Sequence, residues 1–391
     1  MVKRKKKRKL KKTGIYVLIS LILLIVLGAI NIKIIFTMFA HKEVPVTVIK
    51  KKPVEQHFKL IMGGDALIHG AVYLDARKGN GTYDFKPMLE NIKPIVSKYD
   101  LAYYNQETVL GGKELGVSTY PRFNSPYEVG DAFIDAGFDL VSLANNHTMD
   151  RGEQAIHNSV NYWNNHKEIV TSGQWTSFEE RNKERIYEKN GIKYAFFSYT
   201  TWTNGLPTPR GKEYLSNVYS YEKAKEDISK VRDKVDVVMV AMHWGIEYSF
   251  GVSSDQSKIA KELSDLGVDL IIGAHPHVVE PVEYINNGKT FVIYSLGNLI
   301  SAQIGDERLT GLLMEVTVSK VTNIDGSVDI KIKDPKGELI YTKYNSAVKN
   351  FKVYPYHMLN QQILPNYTSY EKKFKNIVGS KCSDLTWGLS Y

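Results

Sequence analysis

Five short runs between Gly64 and His277 concentrate the carboxylates, imidazoles and amides from which a metal site is built: Gly64-Asp65, Asn105-Gln106-Glu107, Asn145-Asn146-His147, His243-Trp244-Gly245-Ile246-Glu247 and Gly273-Ala274-His275-Pro276-His277. Asp65 and Glu107 offer carboxylate oxygens. His147, His243, His275 and His277 offer ring nitrogens, and Asn146 an amide oxygen. This mixture suits Mn²⁺, Fe or Zn²⁺ better than Ca²⁺, whose shells are built of oxygen. Two such ions about 3.5–4 Å apart share a bridging carboxylate, activate a water and clamp a phosphoryl oxygen. The residues imply one or two divalent ions.

Each run also has an ordinary explanation. In His275-Pro276-His277, an extended backbone points residues i and i+2 to one side, and Pro276 favours extension in the residue before it. The alternative is a loop with two solvated imidazoles. Asn145 and Asn146 suit the cap of a helix starting near Gly152. His243 directly follows an apolar stretch, where a neutral core histidine is common. Trp244 suggests a wall of the site, and Glu247 either orients an imidazole or lies on the surface. Asp65 and Glu107 are also ordinary turn residues. His69, four residues after Asp65, reaches toward the same place. Ser295 and Asn298, in Ser295-Leu296-Gly297-Asn298, end another apolar run with no nucleophile-elbow pattern, so they read as a turn lining the site.

The elements that must position these groups follow from hydrophobic periodicity. Strands are expected at Phe58–Gly64, Leu101–Asn105, Phe138–Ala144, Val235–Met242 and Val268–Gly273, each ending at one of the five runs. Strand ends of an α/β fold converge on one crevice, so ligands distant in sequence can meet. Helical spacing covers Phe85–Tyr99, Tyr127–Ala136, Gly152–Asn165, Tyr219–Lys234 and Ser253–Leu266. Hairpins are expected around Asn190-Gly191 and Asn286-Asn287-Gly288. Leu312–Val321 and Val328–Ile332 are further strands. Two stretches, DAFIDAGFDLVSLANNH and KELSDLGVDLIIGAHPH, share the order helix, Gly, Asp, apolar strand, then a polar loop with His. Such alternation implies a mixed α/β fold.

Nine of the 51 Lys and Arg lie between Lys3 and Lys12, and the remainder balance the 42 Asp and Glu. The body is therefore neutral, which excludes the basic face of a nucleic-acid-binding domain. Downstream of the basic cluster, Ile15–Ile32 is almost wholly apolar and continues past Lys33. That length spans a bilayer, and the cations before it place the N-terminus in the cytoplasm and the rest outside. A cleaved signal peptide is the rival, but no clear cleavage site follows. The single cysteine, Cys382, excludes an intrachain disulfide and a Cys-based zinc site. The organisation expected is a basic tail (1–14), a transmembrane anchor (15–39), a linker (40–56), a main domain (57–335) and a C-terminal extension of unread role (336–391).

The motif set between about Leu60 and Gly311 resembles the CapA/PgsA family of poly-γ-glutamate capsule biosynthesis proteins, whose domain is related to the calcineurin-like metallophosphoesterases. The resemblance rests on Gly64-Asp65, Asn105-Gln106-Glu107, Ala144-Asn145-Asn146-His147 with Asp150-Arg151-Gly152, His243 through Tyr248, Gly273 through Val278, Tyr294 through Asn298, Arg308 and Gly311. Ala274 stands where many members carry another His, and Leu67 where the phosphoesterases' Asp-x-His has its histidine. The resemblance implies a two-sheet sandwich flanked by helices. It implies metal ligation by Asp65, Glu107, Asn146, His243, His275 and His277, with Glu107 bridging. By the same resemblance His147 protonates a leaving oxygen and Arg308 meets an anionic substrate. Asn105, Asn145, Trp244, Glu247, Ser295, Asn298 and His69 support this set.

Two functions fit. One is a membrane-anchored, extracellular capsule or cell-surface polymer protein with a metal-dependent hydrolase-type site. The other is a non-catalytic scaffold of a membrane polymer synthase that holds an anionic polymer in the same pocket. The resemblance makes polyglutamate synthase subunits and the anionic polymer the expected partners. A sugar-binding ectodomain, suggested by abundant Tyr and Trp, leaves the clustered histidines unexplained.

Overall fold

The computed structural model describes residues 3–40 and 52–390. The chain divides into two compact units, Met1–Lys52 and Pro53–Tyr391. In the first, one helix runs Lys3–Met38, and its Lys12–Met38 portion is long and apolar enough to cross a membrane. The helix therefore starts within the basic tail. Residues 41–51 of the expected linker lie outside the described residues.

Among its described residues the second unit holds fifteen strands. They are β1 (Val54–Ala66), β2 (Leu101–Asn105), β3 (Leu140–Ser142), β4 (Val170–Ser172) and β5 (Tyr187–Lys189). Next come β6 (Ile192–Thr200), β7 (Val237–His243), β8 (Leu270–Ala274), β9 (Val282–Ile285) and β10 (Thr290–Ile293). The last are β11 (Asn298–Ile300), β12 (Thr310–Thr322), β13 (Val328–Lys343), β14 (Lys352–Pro355) and β15 (Thr386–Trp387). One sheet has the order β14-β13-β12-β1-β2-β3-β4, with β11 beside β1 and β15 beside β13; the other is β5-β6-β7-β8-β10-β9. Both are mixed. β1 through β4 are mutually parallel while β12, β13 and β14 run antiparallel. In the second sheet β6, β7, β8 and β10 are parallel, with antiparallel edges.

Strand alternation builds four layers. Phe58, Leu60 and Met62 of β1 pack with Phe196, Met239 and Ile272 of the other sheet, forming the interior between the sheets. Ile61, Ala102, Tyr104 and Val141 face the opposite way, against Val129 and Phe133 of the helix Glu128–Ala136. On the far side, Val238, Val240 and Ile271 meet Ile228 and Leu263 of the helices Tyr221–Val231 and Ser254–Asp265. Central strands covered on both faces become nearly continuous apolar runs, as VVMVAM in β7 is.

Three differences from the sequence reading have physical causes. Phe85–Tyr99 forms two short helices, Lys86–Leu89 and Lys93–Val96, each with proline in its first turn. Pro94 has no N–H to continue the first helix, so its apolar spacing cannot extend through. The expected strand at Phe138–Ala144 narrows to Leu140–Ser142. Residue 335, expected as a domain end, lies inside β13, and β14 and β15 join the same sheet. The segment after 335 is thus part of the main unit, with Phe374 and Val378 buried in its central core. The Asn190-Gly191 and Asn286-Asn287-Gly288 turns adopt the positive φ their residue types permit.

Candidate metal centre

The parallel strands deliver their C-terminal ends to one place. β1 carries Asp65 one residue before its end, β2 ends at Asn105, β7 at His243, and β8 leads into His275 and His277. Two glycines let the backbones converge. A Cβ at Gly64 would overlap the carbonyl oxygen of Gly297, and one at Gly273 that of Tyr294. The two sequence-similar stretches supply β3 and β8, one in each sheet, which bring the Asn145–His147 loop and the His275–His277 loop together from opposite sides.

Asp65, Glu107, His243, Glu247, His275 and His277 form three overlapping groups: Glu107–His243–His275, Asp65–Glu107–His277 and Glu247–His275–His277. The candidate ligand atoms of each group lie within 4.8 Å of one another. Glu107 Oε1 is 3.6 Å from His243 Nε2 and 3.6 Å from His277 Nε2. Asn146 Oδ1 lies 3.0 Å from His243 Nε2. All these residues except Glu247 are buried.

Their orientation is fixed from behind. Asn105 Nδ2 donates to Asp65 Oδ1 (2.7 Å), and its Oδ1 accepts from the Ser142 hydroxyl (2.6 Å). The backbone N–H of His275 donates to Asp65 Oδ2 (3.1 Å). Asn298 Oδ1 is 3.0 Å from His277 Nδ1, and Asn298 is itself held by donation to Gln303 Oε1 and the Arg308 carbonyl. These contacts leave His277 Nε2 directed at Glu107.

Whether a cation suits this cluster is answered by what it leaves unpaired. Both carboxylate oxygens of Glu107 are buried with no hydrogen-bond partner, and so is His275 Nδ1. Buried carboxylates without donors are costly and rare. Burial, then the neighbouring carboxylates, pushes Glu107 well above the usual carboxylate range. Burial opposes a charge on His277 too, but Glu107 and Asp65 outweigh it and hold that imidazole near 9. Burial, then the adjacent rings, lowers His243 far below its ordinary value and His275 to about 3, leaving both neutral and able to ligate. The donor set therefore fits a divalent cation.

Several residues sit differently from the sequence reading. His275 and His277 are not extended: their φ angles are +100° and +58°. The rings converge through left-handed backbone, stabilised by the Asp65 contact and by Tyr248 N–H donating to the Pro276 carbonyl (2.8 Å). Such conformations in non-glycine residues gather at functional sites. Asn145 does not cap the helix Gly152–Asn164, which starts at Arg151 without a side-chain cap. Instead it accepts from His147 N–H (3.0 Å) and donates to the Gln106 carbonyl (2.9 Å), closing the loop. Trp244 is not a wall of the cluster. Its indole donates to the Tyr294 carbonyl (2.9 Å) in the core between the second sheet and its helices. Ser295 bonds the Val278 carbonyl and Gly297 N–H, a structural turn.

Beside the cluster lies a cavity of about 810 Å³, lined among others by His69, His147, Glu247, His277 and Arg308. His69 accepts from Ala302 N–H (3.3 Å), and burial lowers it to about 4. The guanidinium of Arg308 lies 4.0 Å over the Tyr248 ring.

The sequence reading quoted Asp150 in the Asp150-Arg151-Gly152 run but gave it no role. Its Oδ2 is 2.7 Å from His147 Nδ1 and accepts from Phe123 N–H (2.7 Å), so it locks the imidazole with Nε2 left for the cavity. Phe123 packs edge-on against His147 and His69. The three-residue spacing from His147 to Asp150 was the available signal. Asp150→Ala is expected to destabilise the protein by about 1–3 kcal/mol, because it orphans a buried N–H and frees His147. Urea unfolding checks this; an unchanged midpoint would mean that Asp150 holds neither group.

Residues 59–303 match the family model described as bacterial capsule synthesis protein PGA_cap. The PGA biosynthesis protein CapA of Bacillus subtilis (strain 168) is 32% identical over 176 residues, covering 43% of this chain and 44% of that protein. The capsule biosynthesis protein CapA of Bacillus anthracis is 28% identical over 243 residues, covering 55% and 58%. The chain thus spans about half the length of the curated relatives it matches. Among solved structures, a phosphatase from Mycoplasma pneumoniae aligns with a TM-score of 0.44 and 15% identity, covering 74% of this chain and 95% of that one.

Proposed function

The chain belongs to the bacterial capsule synthesis protein PGA_cap family, and from that membership we propose that it is a membrane-anchored extracellular protein of capsule or cell-surface polymer biosynthesis with a metal-dependent, phosphoester-cleaving site. The observation carrying the hydrolytic reading is Glu107, a buried carboxylate with both oxygens unpartnered and two imidazoles within 3.6 Å. Asp65, Glu107, Asn146, His243, His275 and His277 would hold the ion or ions, of Mn, Fe or Zn type. When bound, a divalent ion supplies Lewis acidity and a water of lowered pKa.

The chain's own residues do the rest. Asn105 and Asn298 hold Asp65 and His277 in position. Arg308, braced on Tyr248, receives the anion at the cavity mouth. Water attacks phosphorus and gives up a proton to solvent, the bond from phosphorus to the ester oxygen breaks, and that oxygen takes the Nε2 proton of doubly protonated His147. Asp150 accepts from Nδ1–H, so in the doubly protonated ring Nε2–H is the proton left for His147 to give up. For the anchor, the apolar helix Lys12–Met38 has the length to span, and the cations of Lys3–Lys12 favour a cytoplasmic N-terminus. Polymer synthase subunits and an anionic polymer are the partners this role entails.

The test is metal analysis of the full-length protein, followed by assay of an aryl phosphodiester after loading with Mn²⁺, Fe²⁺ or Zn²⁺. Bound metal with metal-dependent hydrolysis is expected. Protein that stays metal-free after loading would eliminate the hydrolase and leave the polymer-holding scaffold.

A further inference from the structure

Aromatic side chains ring the mouth of the cavity. Tyr120 is 72% exposed, Trp202 50% and Tyr248 40%, and all three line the same cavity as His147 and His277. Large aromatics left open to solvent together, around a polar floor, mark a surface built to be covered. The volume, about 810 Å³, is that of a site for a ligand of many atoms, well beyond a lone phosphoryl group.

The faces are not equivalent. Arg308 covers one face of Tyr248, which commits that ring to holding a cation for the anionic group. Tyr120 and Trp202 remain as platforms. Arg122 adds a second positive charge to the lining, and Asn204 adds an amide that offers both donor and acceptor. Flat apolar faces, an amide and two guanidiniums together match one chemistry. The face of a pyranose presents C–H groups that pack on the electron-rich face of an aromatic ring, while its hydroxyls need mixed donors and acceptors. An acyclic polyanion would instead require cations along the cleft.

We propose that Trp202 and Tyr120 form a subsite for a sugar ring, so that the substrate class is an anionic saccharide whose phosphoester lies beside that ring. This rests on the phosphoester reading above. The subsite acts through stacking, so it operates with or without metal in the cluster.

The test is calorimetric titration of the full-length protein, metal-loaded and metal-free, with glucose 1-phosphate, glycerol 1-phosphate and AMP. Glucose 1-phosphate is expected to bind about tenfold more tightly than glycerol 1-phosphate, the scale of one aromatic contact. Trp202→Ala should abolish that preference and Trp202→Phe should retain most of it. Equal affinities, a preference unchanged in both Trp202→Ala and Tyr120→Ala, tighter binding of AMP, or no binding of any probe would overturn the proposal. Metal content measured on the same samples separates the two readings. A ring preference in protein that takes up no metal on loading defeats the phosphoester reading alone, and metal uptake without ring preference defeats only the saccharide subsite.

Discussion

Replacing His275 and His277 together by alanine is expected to remove bound metal from the purified protein. Each of the three candidate ligand groups includes one or both of these residues, so no group survives intact. Loss of a supporting contact alone weakens a metal site by about 10–100-fold, and loss of two ligands should exceed that. Elemental analysis should fall from stoichiometric to background. Thermal unfolding should lose its upward shift with added metal, since a ligand that binds only the folded state stabilises by mass action. His357→Ala is the control: this exposed imidazole pairs with Glu338 on the surface and should leave metal content unchanged. Equal metal in the double variant and the wild type would place the ion elsewhere or make it adventitious.

The second large effect has opposite signs in two states. Glu107→Gln should make the metal-free protein more stable while abolishing the gain from metal. In the metal-free state Glu107 is a buried acid without donors, and an unsatisfied buried polar group costs about 1–3 kcal/mol, more when charged. Its folded pKa lies above the unfolded one. Its favourable contribution is therefore complete below the ordinary carboxylate range, about 4, and is lost as pH rises through the folded value. His277, raised to about 9, adds the same sign between its ordinary value and that pH, and part of its shift comes from Glu107. Urea unfolding in chelator should thus show the two proteins alike near pH 4 and the variant ahead by about 1–3 kcal/mol near pH 8. A stability cost carried by a group that acts only when loaded marks a functional residue. No stabilisation at pH 8, or an undiminished metal response, would remove Glu107 from the site.

Much of the architecture was readable because it is local. Apolar runs of strand length followed by a polar ligand type located β1, β2, β7 and β8 and the residues at their ends. The periodicity of Ser253–Leu266 and the Asn-Gly turns needed no tertiary information. Where local signals conflicted, the reading failed: helical spacing at Phe85–Tyr99 gave way to Pro94, and the alternation expected for His275 and His277 gave way to left-handed backbone. The tail after residue 335 lost its pattern because β13, β14 and β15 satisfy their backbone bonds across the sheet rather than with neighbours in sequence.

The sequence by itself determined which ligand types exist, their order along the chain, the neutral body and the apolar N-terminal helix. These depend on composition and on contacts within a few residues. Only the tertiary structure decided which groups meet. It brought β3 and β8 in from separate sheets and set Asp150 behind His147. It turned Trp244 into the core and left Trp202 and Tyr120 at the cavity mouth. The reason is that a loop side chain takes its direction from packing against elements far away in sequence, and periodicity carries no record of that packing.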